Sequence, residues 1–186
     1  MSRRAHGYLV LGLLGSTVAA SLVMRFVFPP NKDVLGLELP RSVDELEAAV
    51  GSTPAERERN RRNTYADFAF LTSYTALFAA AGSLLARQGP RSTRALGLLA
   101  VATGVATGVL DVLEDMTILR ELRPGADLHE FYSRVRHFSI PKWILAVVTN
   151  FALVPLVAFG RWWTRVLGLF AAVIGIGTLL NLKRVF

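Results

Sequence analysis

The 186-residue chain contains no cysteine. That excludes a disulfide framework, a cysteine-ligated metal and thiol chemistry, and it leaves the compartment open. Charge is scarce too. Only 19% of residues are charged, against about 25% in soluble domains, and no ionisable side chain lies between Arg94 and Asp111. The chain has no His-Glu-x-x-His, no Gly-x-Ser-x-Gly and no phosphate-cradling glycine loop. It has no internal repeat and no low-complexity tract. The formal net charge is +7, but much of the excess sits in short loops between apolar segments. Membrane topology accounts for such loops better than phosphate binding does. No basic groove interleaved with aromatics is present, so nucleic acid is not an expected partner.

What the chain does have is hydrophobicity: 52% apolar residues and a mean hydropathy of +0.40. Several apolar runs exceed roughly 18 residues, the length that crosses a bilayer. The expected fold is all-α, a polytopic transmembrane bundle of about five spans forming a single membrane domain over residues 1–186. The spans fall at about 8–28, 65–85, 95–114, 142–159 and 164–182, with long loops at 29–62 and 115–141. The first span follows Arg3 and Arg4 as a signal peptide would. It lacks a small-x-small cleavage site before Phe28-Pro29-Pro30 and is read as retained.

Loop charge gives an orientation. Arg3 and Arg4, then Arg87, Arg91 and Arg94, then Arg161 and Arg165 stand at one end without an acid among them. Residues 29–62, at the other end, hold six basic and seven acidic side chains. Lysine and arginine excess belongs in the cytoplasm, so the N-terminus is expected inside an inner membrane. Against this pattern, Arg57, Arg59, Arg61, Arg62, Lys183 and Arg184 fall on the expected outer side. Ser42-Val-Asp-Glu45 and Thr53-Pro-Ala-Glu56 read as capping boxes, and the second can open a helix running unbroken into the second span. Leu128, Phe131, Tyr132, Val135 and Phe138 recur at helical spacing, which predicts a short interfacial amphipathic helix. Ser139 is then expected to cap the fourth span, with Pro141 in its first turn and a kink at Pro155.

On the third span, Ala100, Gly104 and Gly108 repeat every four residues, a stripe that lets helix backbones approach. Asp111 and Asp115 continue that stripe and Glu114 lies beside it, so the acids point into the bundle or its mouth. Asp67 and Tyr74 share one face of the second span. Lys142, Ala146, Thr149, Asn150 and Leu153 share a face of the fourth. With alternating spans, Arg25, Asp67, Asp111, Glu114, Asp115 and Lys142 all fall in the outer leaflet, and the inner halves of the helices are nearly free of ionisable groups. Carboxylates in hydrocarbon are expensive. Four acids against two cations must pair, share a proton or hold a cation.

Three segments, Asp67-Phe-Ala-Phe70 with Tyr74, Asp111-Val-Leu-Glu-Asp115, and Lys142-Trp143, carry a resemblance. They are similar to a family of small polytopic bacterial membrane proteins with Asp-x-x-Phe plus Tyr, Asp-x-x-Glu-Asn and Lys-Trp motifs. The resemblance spans roughly residues 63–160. Asp115 stands where that family has asparagine. It implies a site at these residues and brings no activity.

The candidate catalytic residues are Asp67, Asp111, Glu114, Asp115 and Lys142; Tyr74, Asn150 and Arg25 are candidate binding residues. Their plain alternative is a set of solvated helix-end acids with snorkelling Lys142 and Arg25. An oxygen-rich cluster would suit Mg²⁺ or Ca²⁺, but no spacing specifies a metal. His129 and His137 read as surface residues, and Trp143, Trp162 and Trp163 as interfacial belt residues. Three functions fit. One is an enzyme acting on a lipid or isoprenoid-like substrate by acid–base chemistry. The second is a non-catalytic membrane module: an assembly partner, lipid binder or sensor. The third, cation- or proton-coupled transport, needs a polar path that the inner halves offer only through Ser, Thr and Asn150.

Overall fold

A computed structural model describes residues 3–32, 34–159 and 162–183. Arg161 and Arg184 of the charge pattern lie outside these residues. The described fold is all-helical: α1 (Arg3–Phe26), α2 (Leu35–Glu38), α3 (Val43–Val50), α4 (Pro54–Gln88), α5 (Arg94–Glu121), α6 (Leu128–Leu153) and α7 (Trp162–Leu182). Five of them, α1, α4, α5, α6 and α7, are long and apolar enough to cross a membrane.

The termini follow their capping chemistry. Ser42 accepts from the Glu45 amide and opens α3. Thr53 and Glu56 form a reciprocal capping box at the start of α4, with Pro54 in its first turn. From there α4 continues unbroken for 35 residues. Close approach sets the α4–α5 pairing. A Cβ on Gly97 would stand 2.6 Å from the Gly82 carbonyl oxygen, and one on Gly108 would strike the Thr75 hydroxyl. His6 Nε2 donates to the Ala80 carbonyl at 3.0 Å, fixing α1 against α4.

The interior has two apolar cores. One joins the membrane helices through Val10, Leu77, Leu84, Leu85, Ala100, Leu153 and Leu167. The other joins α2 and α3 to the end of α5 and the start of α6 through Leu37, Leu46, Val50, Ile118, Leu122, Phe131 and Val135. This second core is a cap on one end of the bundle. Asn60 ties the cap to α4: its Nδ2 donates to the carbonyls of Ala49 and Val50, and its Oδ1 accepts from the Asn31 amide.

Several sequence expectations change here. The third span does not end at the acids; α5 runs on to Glu121, so they lie inside a helix. The amphipathic stretch is helical, but it is the first half of α6 rather than a separate element. Its apolar side is covered by protein, with Phe131 and Val135 fully buried in the cap core. Ser139 is therefore not a cap; its hydroxyl lies within the helix, 2.8 Å from the Val135 carbonyl. Pro141 sits in the helix interior. Pro155 ends α6 instead of kinking it: a 3-10 turn follows over Val154–Val157, and the Val154 amide takes the Phe151 carbonyl.

Candidate functional site

Asp67 lies 13 residues into α4, Asp111 lies 17 residues into α5, and Lys142 lies 14 residues into α6. At 1.5 Å per residue, the apolar stretch of α4 beyond Asp67 is about 32 Å long, roughly one hydrocarbon thickness. The three residues therefore meet at one edge of the apolar layer, between the membrane core and the cap core. The acids are not solvated: Asp111 is 5%, Glu114 0% and Asp115 3% exposed. Asp67 and Lys142 are buried beside them.

Lys142 is the hub. Its Nζ stands 2.7 Å from Asp111 Oδ1 and 2.9 Å from Glu38 Oε2, and it is ion-paired with Glu114 Oε2. A buried ammonium loses its hydration, and these carboxylates replace it. Asp111 is held from both sides. The Tyr74 hydroxyl donates to its Oδ2 at 2.5 Å, and the Tyr74 ring is wedged between Phe70 and Phe78 on the same face of α4. Glu114 Oε1 accepts from Ser139 Oγ at 2.6 Å. A second subset lies alongside: one carboxylate oxygen each from Asp67, Asp111 and Asp115, all within 4.8 Å of one another.

A cavity of about 500 Å³ opens beside the cluster, within the range of small-molecule sites. Glu38, Asp67, Tyr74, Asp111 and Lys142 form its polar end; Phe78, Leu153, Leu156 and Leu167 are among its apolar walls. Val18 and Leu22 of α1, with Phe170 and Ile174 of α7, both line it and are 41–50% exposed on the bundle surface. The mouth is thus an apolar cleft between α1 and α7, facing sideways out of the bundle.

The candidate residues sort accordingly. Asp67, Asp111, Glu114, Asp115, Lys142 and Tyr74 are brought together. Asn150 lines the cavity deeper in, its amide donating to the Ala146 carbonyl. Arg25 is not part of the site; it is exposed near the end of α1 and does not line the cavity. Trp143 is a cavity wall rather than a belt residue, and Trp163 packs against Gly7. His129 and His137 are exposed, as expected. Sequence reasoning missed Glu38 and Ser139. Glu38 is the one charged residue in Val34-Leu-Gly-Leu-Glu-Leu-Pro40, and that isolation is the signal that it docks inward. Ser139 sits one helical turn before Lys142, on the same face.

No protein family, curated protein or solved structure matches this chain. The motif resemblance accordingly rests on its own residues.

Proposed function

We propose that this chain is an inner-membrane protein, of a bacterial kind, that admits a lipid or isoprenoid-like molecule from the bilayer and acts on its polar head at the carboxylate–lysine cluster. The supporting observation is the cavity: apolar along its walls, open sideways through exposed apolar side chains, and ending at buried ionisable groups. A water-soluble substrate gains little from such a mouth, whereas an acyl or prenyl chain is already in the medium it faces. Within the cluster, Asp111 is committed to Lys142 and Tyr74, and its role is to hold charge in place. Asp67 borders the cavity without an ion-pair partner among the described residues, which suits it to exchange a proton with a bound head group. Glu114 and Asp115 complete the buried acidic wall behind them.

The proposed orientation puts the cap outside and the N-terminus in the cytoplasm. Its support is that Arg87, Arg91, Arg94 and Arg165 stand at the end opposite the cap, and arginine excess marks the cytoplasmic side. The decisive experiment compares the lipid profile of cells carrying the wild type, Asp67→Asn and Ala146→Phe at equal protein level. Ala146 lines the cavity one helical turn beyond Lys142 and carries no ionisable group, so its enlargement narrows the cavity without removing a member of the cluster. A shared change in one lipid class is expected; unchanged profiles in both variants would reject the enzyme reading.

One observation favours a second, non-catalytic reading. Lys142 joins α2, α5 and α6 through three carboxylates, an arrangement that can lock a lipid-binding or assembly module in register. Native mass spectrometry of the gently extracted protein separates the two: a module retains a lipid or partner whose chemistry it leaves unaltered.

A further inference from the structure

Five carboxyl groups, Glu38, Asp67, Asp111, Glu114 and Asp115, are gathered around one ammonium, that of Lys142. Lys142 is spent on Glu38, Asp111 and Glu114. Among the described residues, neither Asp67 nor Asp115 has an ion-pair partner. Asp115 is 97% shielded from solvent by its 3% exposure, and its Oδ2 has no hydrogen-bond partner. Its carboxylate meets those of Asp67 and Asp111 with the three oxygens inside a 4.8 Å span. A buried carboxylate oxygen without a donor is costly, and the Asp115 side chain that carries it stands against two further carboxylates.

We infer that Asp67, Asp111 and Asp115 form a binding site for a hard divalent cation of the Mg²⁺, Mn²⁺ or Ca²⁺ type. The donor set is entirely oxygen, with no nitrogen or sulfur to favour zinc or copper. A cation about 2.0–2.6 Å from each ligand is of the size that three oxygens at this spacing can grip together. The ligands come from two rigid helices, α4 and α5, held together by the Gly82–Gly97 and Gly108–Thr75 contacts, so the site is preorganised. Asp111 keeps lone pairs for a metal while accepting from Tyr74 and Lys142, because a carboxylate offers about four acceptor positions. Lys142 ion-pairs with Asp111 of this set but with neither Asp67 nor Asp115. Asp67 and Asp111 also line the cavity. The remaining coordination positions of the cation therefore face it, available to water or to head-group oxygens.

The test uses the full chain in phosphatidylcholine nanodiscs, titrated with Mn²⁺ and read by electron paramagnetic resonance. One saturable Mn²⁺ per chain is expected, displaced by Ca²⁺ or Mg²⁺. Asp115→Asn and Asp67→Asn should each weaken it at least tenfold. Glu58→Gln, at an exposed acid on the cap side of α4, should leave it unchanged. Absence of a saturable site, or wild-type affinity in both aspartate variants, overturns the inference. Should either variant fail to fold, the wild-type titration decides by itself whether the one-per-chain site exists. The cation site and the lipid reading fail separately: Mn²⁺ binding in nanodiscs reports the ion, and the cellular lipid profile reports the reaction.

Discussion

Lys142 Nζ lies 2.7 Å from Asp111 Oδ1, joining α6 to α5 across a contact that buries both side chains almost completely. Glu38 and Glu114 complete the shell around the same ammonium. Removing one member of a buried ion pair leaves its partner unpaired, typically at a cost of about 3–5 kcal/mol.

Lys142→Met is therefore expected to lower stability by about that amount, because three acids would lose their shared cation. Thermal unfolding in detergent checks it. Adding Glu114→Gln to Lys142→Met should recover part of the loss, and the double-mutant cycle measures the coupling. Strict additivity of the two changes would show that Lys142 and Glu114 do not interact.

Tyr74→Phe removes the hydroxyl that donates to Asp111 at 2.5 Å while keeping the ring between Phe70 and Phe78. A hydrogen bond to a charged group contributes about 1.5–3 kcal/mol, and a loss of that size is expected without loss of expression. Unfolding curves identical to wild type would mean that Lys142 alone positions Asp111.

Gly108→Leu should disrupt the α4–α5 pairing, since even a first added carbon meets the Thr75 hydroxyl. Gly177→Ala, where nothing lies within 4 Å of the added carbon, should fold normally. Size-exclusion recovery after extraction distinguishes them. A well-folded Gly108→Leu protein would argue against close packing along this stripe.

Phe131→Ala empties a fully buried position in the cap core. Such truncations cost about 3–5 kcal/mol, and here the cost falls on the cap more than on the membrane helices. Limited proteolysis should then cut within residues 29–53 faster than in the wild type, with the five long helices still protected. Unchanged cleavage would show that the cap does not depend on this contact.

The sequence on its own determined the five long apolar helices, the side-chain cap at Ser42 and the capping box at Thr53, and the inward direction of Asp111 and Asp115. Each of these is a local matter of periodicity, run length or a side chain reaching its own backbone a turn away. It also pointed to Asp67 and Lys142 as partners, because their depths agree, and to Tyr74 through the helix face it shares with Asp67. Arg25 shared that depth but not the facing, which depth by itself does not supply. Only the tertiary structure decided the continuity of α6, where protein from α3 and α5 replaces the lipid that an amphipathic pattern equally suits. Only it brought Glu38 to Lys142 across 104 residues, because that contact depends on how the cap docks. The sideways cavity was likewise decided by docking: α1 and α7 meet at Gly7 and Trp163 but part at the level of Leu22 and Ile174, and no segment's pattern encodes a gap between two others.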